Sequence, residues 1–165
     1  MKTLLLLSFG LLTICCGTDQ GESIDYTYSI SNNAGQNIKL VPYINGVPEM
    51  ENAITLANNE KFTKKYTYNP PGAAGFNMTG LFKATAAGSI THVGVIYNNN
   101  HINLFTVFSE QCPTCANIPN NPYPIIYNEN IRNLFNISFN DEQVETYSIT
   151  SEDYQNATDC GGNCY

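Results

Sequence analysis

The sequence predicts an all-β fold: a single antiparallel β-sandwich, Ig-like or related, of seven to nine short strands, with one short helical turn near the C-terminus. Three observations predict it. Apolar and polar residues alternate with period two through several segments. Turn-forming clusters recur roughly every eight to twelve positions, the spacing of short strands in sandwiches and barrels. Before residue 150, no segment sustains a helical repeat over about ten residues. A closed barrel is the competing architecture.

The strands follow in order. Ile24, Tyr26, Tyr28 and Ile30 alternate with Asp25, Thr27 and Ser29, the pattern of a half-buried strand. Asn32 to Gln36 is a turn containing Gly35. A second strand runs near Ile38, Leu40 and Tyr43-Ile44, and Pro42 marks it as an edge strand or a bulge. Asn45-Gly46 is a tight-turn signal. Ile54 and Leu56 form a short strand that turns at Asn58-Asn59. Phe62, Lys64, Tyr66 and Tyr68 alternate with Thr63, Lys65 and Thr67, and lysines here discourage edge-to-edge aggregation if the strand lies at an edge.

Residues 70–75, Pro-Pro-Gly-Ala-Ala-Gly, form a loop, and Leu81 to Thr85 reads as a further strand. The best-defined hairpin joins Ile90–Tyr97 to Ile102–Phe108 through three asparagines. Residues 109–124 are a proline-bearing loop. Ile131 to Phe139 reads as a strand that pairs with Val144–Ile149 in a last hairpin. Thr150 then caps one or two helical turns with Glu152 and Asp153 at their start.

The N-terminus carries an address. One positive charge at Lys2, an apolar and small-residue run from Leu4 to Ile14, and Cys15-Cys16-Gly17 make a secretory signal. The run is far shorter than the ~20 residues that span a bilayer. Its cysteines resemble the lipobox of bacterial lipoproteins. Cys16 follows the small Cys15, whereas Cys15 follows the β-branched Ile14, so Cys16 is the expected lipidated residue, although Thr13 stands where a leucine is usual. Residues 1–15 are then a lipoprotein signal peptide, 16–23 a polar tether, and 24–165 one β-sandwich domain with a disulfide-closed loop and tail. Ordinary cleavage near Gly17, giving a secreted protein, is the alternative.

Charge excludes one class of partner. The chain has seven basic and fourteen acidic residues, a net charge of −7 that becomes −8 without Lys2. After Lys83 the only basic residue is Arg132. Such a surface repels phosphate backbones, so no nucleic acid is expected as a partner. It also resists anionic lipid, leaving membrane attachment to the N-terminal lipid.

With Cys15 removed and Cys16 carrying the lipid, four cysteines remain, Cys112, Cys115, Cys160 and Cys164, an even number that suggests two disulfides in an exported protein. Three pairings are possible. The local pairs Cys112–Cys115 and Cys160–Cys164 are favoured, because Pro113 promotes a tight turn and Gly161-Gly162 lets the second loop close. Closing so short a loop is worth about 2 kcal/mol, against about 4 for a cross-pairing that would pin the tail to the proline loop. A four-thiolate zinc site would need reduced thiols. A redox pair at Cys112-Pro113-Thr114-Cys115 would need a helix N-terminus beside it. Neither is expected.

Other chemistry is sparse. His92 and His101 lie on or beside the two arms of one hairpin, near enough to approach each other, and are read as structural. No nucleophile elbow, zinc-protease helix motif, phosphate loop or calcium loop is present. No carboxylate spacing singles out a glycosidase pair. No catalytic residue, metal site or cofactor is predicted. Tyr26, Tyr28, Tyr66, Tyr68 and Tyr97 fit core-facing strand positions. Tyr123, Tyr127, Tyr154 and Tyr165 lie in loops or near the tail, where they pack over disulfide loops or serve as sugar or protein contacts.

The lipobox-like start, the Asp/Tyr-rich first strand and the closing run from Tyr147 to Ala157, most specifically Ser-Glu-Asp-Tyr-Gln-Asn-Ala over 151–157, resemble small uncharacterised lipoproteins of Bacteroidota, flavobacteria in particular. The resemblance implies an envelope location, with the outer membrane favoured, and carries over no catalytic residue. The expectation is therefore a non-enzymatic, lipid-anchored envelope protein, a structural or interaction module with an envelope protein or glycan as partner. A carbohydrate- or small-ligand-binding accessory lipoprotein is the alternative, and an envelope hydrolase using unrecognised carboxylates ranks third.

Overall fold

The computed structural model describes residues 22–69, 76–82 and 88–165. The expected signal peptide, the expected lipidation residue Cys16, most of the expected tether and the 70–75 loop lie outside them. In chain order the strands are β1 (Ile24–Asn33), β2 (Ile38–Ile44), β3 (Val47–Pro48), β4 (Ile54–Leu56), β5 (Lys61–Tyr68), β6 (Ile90–Tyr97), β7 (His101–Thr106), β8 (Ile125–Ile126), β9 (Val144–Thr150) and β10 (Thr158–Asp159). One short helix, α1 (Ser151–Gln155), separates the last two. These ten strands form two sheets, and the fold is all-β and sandwich-like, with no closed barrel.

The smaller sheet has the order β5-β1-β9. β1 is antiparallel to β5 and parallel to β9. The period-two alternation of β1 sends Tyr28 and Ile30 inward, where they join Tyr147 and Ile149 of β9. Its other face is a ladder of hydroxyls: Ser29 meets Thr63 at 2.9 Å and Ser31 meets Ser148 at 2.8 Å. β5 is an edge strand of this sheet, and its lysines are exposed.

The larger sheet has the order β10-β7-β6-β2-β3, with β4 also on β2 and β8 parallel to β7. Asn45-Gly46 is a two-residue hairpin turn, and Asn98-Asn99 are the central pair of a turn within the three-residue loop of the next hairpin, closed by the Asn100 N–H on the Tyr97 carbonyl at 2.9 Å; all four residues have positive φ. Ile38 and Leu40 of β2, Val93, Val95 and Tyr97 of β6, and Phe105 of β7 pack against the smaller sheet in one core.

Two expectations are corrected, and a third is narrowed to one of its alternatives. Residues 131–139 form turns and a 3-10 turn over Ile137–Phe139, so the last hairpin does not form and β9 pairs with β1 instead. Their asparagines explain this. Asn130, Asn133 and Asn136 each accept a hydrogen bond from the backbone N–H two residues on, at 2.8, 2.7 and 3.1 Å. Such side-chain turns compete with a ladder for the same backbone groups. Second, Leu81 closes a 3-10 turn begun at Met78 and capped by Asn77, and residues 83–85 of the expected strand lie outside the described residues. Of the two readings of Pro42, the edge strand fails because β2 is interior, while the irregularity is present beside it. β4 pairs with residues 38–40 of β2 and β3 with 43–44, so Pro42 falls in the gap between them, and the register slips at Tyr43/Ile44.

Candidate functional site

The larger sheet is covered on both faces. On the face away from the main core, Val41, Tyr43, Ile96, Ile102 and Leu104 form a second cluster with Cys164. Ile118 and Tyr123 of the proline-bearing loop, Ile125 of β8 and Cys160 of the tail pack over it. Gly94 makes room beneath: a Cβ there would lie 3.3 Å from Ile102 Cδ1 and 3.4 Å from Tyr43 Cε2. The loop and tail thus form a third layer on a two-sheet sandwich.

Short-range chemistry shapes that layer. Cys112 and Cys115 lie at disulfide distance, as do Cys160 and Cys164, with Cα separations of 5.3 and 5.0 Å. These are the favoured local pairs, and no helix follows Cys112. Glu129, held below the usual carboxylate range chiefly by the Ser109 hydroxyl, also accepts the Glu110 N–H at 3.1 Å. Asn121 spends both ends of its amide on Tyr123, accepting its N–H at 3.1 Å and donating to its carbonyl at 2.7 Å.

His92 fastens the loop to the sheet. Its ring is 1 % exposed, lies edge-on to Tyr43 and Phe108, and places Nε2 3.0 Å from the Ala116 carbonyl. Burial lowers its pKa below 6.5, outweighing the bond to Ala116. The folded state therefore holds His92 neutral where the unfolded chain binds a proton. Its contribution is complete above the unfolded value and is lost as pH falls through the folded one, at up to about 1.4 kcal/mol per pH unit. In urea unfolding at pH 7.5, 6 and 5, wild type is expected to weaken more steeply than His92→Gln. Parallel pH profiles would refute this role.

Between the loop, the tail and β2–β3 lies a cleft of about 180 Å³, bounded chiefly by Tyr43, Pro48, Pro119, Pro122, Tyr123 and Tyr165. No charged side chain lines it. Tyr123 donates to the Asn163 carbonyl at 2.5 Å, tying loop to tail. Tyr165 is 52 % exposed. Tyr43 is only 5 % exposed, yet among the described residues its hydroxyl makes no hydrogen bond and is not a sealed buried atom. Burial and the nearby Tyr123 push Tyr43 up to about 12, so it remains a protonated donor.

The other predicted residues are dispersed. The His92 ring lies against Tyr43 of the second cluster, while His101 lies edge-on to Tyr154, which packs on the main core, at 5.2 Å, so the two histidines do not meet. Tyr154 also packs on Tyr97 at 5.5 Å and belongs to the main core. Tyr127 borders a separate hollow with Glu110 and Glu129. Of the loop and tail tyrosines, Tyr123 and Tyr165 come together. Tyr43 joins them from β2, where its place in the alternation marks it only as a strand residue. Its signal was the neighbouring apolar residues on both sides, which mark a strand buried on two faces. Among the described residues, no three His, Cys, Asp or Glu side chains gather to hold a metal ion. Compared with family models, curated proteins and solved structures, the chain matches none.

Proposed function

We propose that this chain is a non-enzymatic, lipid-anchored protein of the bacterial envelope that acts as an interaction module through its tyrosine cleft. The observation that carries the contact surface is the convergence of Tyr43, Tyr123 and Tyr165, from three distant segments, on a cleft lined by no charged side chain. Tyrosines supply rigid contact area at little entropic cost, and loops held by a rigid sheet are where contact residues concentrate. The anchor rests on the N-terminal run and Cys16.

Intact mass of protein purified from its native membranes, before and after reduction, tests the anchor. The expected result is a chain beginning at Cys16, heavier by a diacylglyceryl group and one fatty acyl chain, that gains four hydrogens on reduction. An unlipidated chain beginning after Gly17 would replace the anchored protein with a secreted one.

A further inference from the structure

We propose that the hollow around Lys39, on the larger sheet, is a binding site for an acidic sugar residue, a ring of hydroxyls that bears one negative charge. The site shares no residue with the tyrosine cleft and does not rest on it.

The position of Lys39 is the first argument. β2 is an interior strand, and every residue in it is buried except Lys39, which is half-buried. Lysines on an edge strand guard against aggregation, but Lys39 has a strand on each side. It is paired directly with Thr55 of β4 and with Ile96 of β6, so the three side chains share one face of the sheet. Val41 follows on that same face and is fully buried in the second cluster, beneath the third layer. Lys39 stands just beyond that cover, where a hollow of about 240 Å³ opens.

The second argument is that the surroundings are held in place. Besides Lys39, Thr55 and Ile96, the hollow is lined by Asn37 from the β1–β2 turn and by Asn98 and Asn99 from the β6–β7 turn. Ile38, whose side chain packs in the main core, completes the lining. The two turns are joined: the Asn98 N–H donates to the Asn37 carbonyl at 3.1 Å, and the Asn98 side-chain amide donates to Gln36. The tail braces the second turn through the Cys160 N–H, which donates to the Asn100 carbonyl at 2.8 Å. A site fixed in this way loses little conformational freedom on binding.

The lining chemistry names the ligand class. Among the described residues the only ion pair joins Arg132 to Asp153, so Lys39 has no acidic partner. No carboxylate lines the hollow, which therefore holds one uncompensated positive charge in a chain of net negative charge. One ammonium matches one negative charge, whereas a phosphoryl group brings about two. Among the described residues the side chains of Asn37, Thr55 and Asn99 make no hydrogen bond to the protein. Each can both donate and accept, as sugar hydroxyls do. Apolar area is scarce, since Ile38 and Ile96 are each 1 % exposed, which disfavours a lipid tail or an apolar peptide. The hollow is also smaller than the ~300–1,000 Å³ of pockets for drug-sized ligands, so it takes a single residue.

The test is an NMR titration of the full mature chain with three probes. Methyl β-D-glucuronide carries both ring and charge, methyl β-D-glucoside lacks the charge, and acetate lacks the ring. The glucuronide is expected to shift the Lys39, Asn98 and Asn99 amide signals saturably, and more weakly at high salt. It is expected to bind about tenfold more tightly than either other probe, the low end for a hydrogen bond to a charged group. Lys39→Met keeps the apolar stem and is expected to abolish the preference for glucuronide over glucoside, whereas Lys39→Arg keeps the charge and is expected to retain it. Equal binding of the glucoside overturns the proposal by removing the charge from recognition. Equal binding of acetate overturns it by removing the ring. A preference that survives Lys39→Met overturns it by placing the partner of the charge elsewhere. Silence toward all three probes at about 5 mM, where millimolar contacts register, overturns the site altogether. The tyrosine cleft stands or falls separately from each of these outcomes.

Discussion

Replacing Asp153 with alanine is expected to cost about 3 kcal/mol of folding stability. Its side chain is only 7 % exposed and serves four donors. Arg132 reaches it through Nε at 3.0 Å and Nη2 at 2.5 Å, and Thr150 through its backbone N–H at 2.7 Å and its hydroxyl at 3.0 Å. The Thr150 hydroxyl in turn accepts the Asp153 N–H, completing the capping box of α1. Arg132 extends the network. Its Nη2 donates to the Ser148 carbonyl at 3.0 Å, its guanidinium lies 5.4 Å over the Tyr147 ring, and its own carbonyl accepts the Tyr147 hydroxyl at 2.6 Å. One carboxylate thus joins the 130–136 loop to β9 and α1.

Two effects set the size. Losing the cap costs about 1 kcal/mol. Breaking a fully buried ion pair costs 3–5, but the Arg132 side chain is 42 % exposed and turns to water once released, so the lower end applies. Asp153→Asn still accepts from Thr150 and should recover about 1 kcal/mol of the loss. Urea midpoints of the three proteins measure this. A change below about 1 kcal/mol for Asp153→Ala would reduce the network to a surface ion pair.

Asn32→Ala comes next, at about 2–4 kcal/mol. Asn32 is fully buried. Its amide donates to the carbonyls of Gln36 at 2.7 Å, Leu56 at 3.1 Å and Ala57 at 2.9 Å, and accepts the Ala34 N–H at 3.1 Å. It therefore ties the end of β1 to the turn before β2 and to the end of β4. Alanine takes a donor from each of these carbonyls, of which Ala57 keeps the Glu60 N–H at 3.0 Å, and removes the acceptor of the Ala34 N–H. Water reaches the site poorly, and that desolvation is the main cost. Asn32→Asp should be worse, because it removes the donors and buries a charge against three carbonyls. Thermal and urea unfolding of both variants provide the check. A stability ranking with the aspartate above the alanine would show that the site is open to water.

The same residue type explains much of what the chain concealed. Asparagine was legible as a turn former at Asn45-Gly46 and Asn98-Asn99, where positive φ is a local property. In 131–139 the apolar residues suggested a strand, yet the N-x-x-N-x-x-N spacing of 130, 133 and 136 was the stronger signal, since each of these side chains captures a nearby backbone N–H. Asn133 adds a tertiary role, donating to the carbonyls of Thr106 and Ile126 at 3.0 and 2.6 Å. The candidate site was half legible. Tyr123 and Tyr165 stood out as loop and tail tyrosines, but Tyr43 came into view only once the sheet bearing it was seen to have a layer on each face.

The sequence by itself determined what depends on neighbours along the chain. That includes the β class, the tight turns and the capped helix after Thr150, while the choice among three cysteine pairings was left to the structure. Tertiary structure decided which strands pair and what covers them: the parallel placement of β9 beside β1, the interior position of β2 despite Pro42, and the third layer that brings three tyrosines together. The reason is physical. Turn chemistry and period-two alternation act over a few residues, whereas a strand's partner and the layer above it are chosen by burial between segments as much as a hundred residues apart, for which short-range spacing carries no signal.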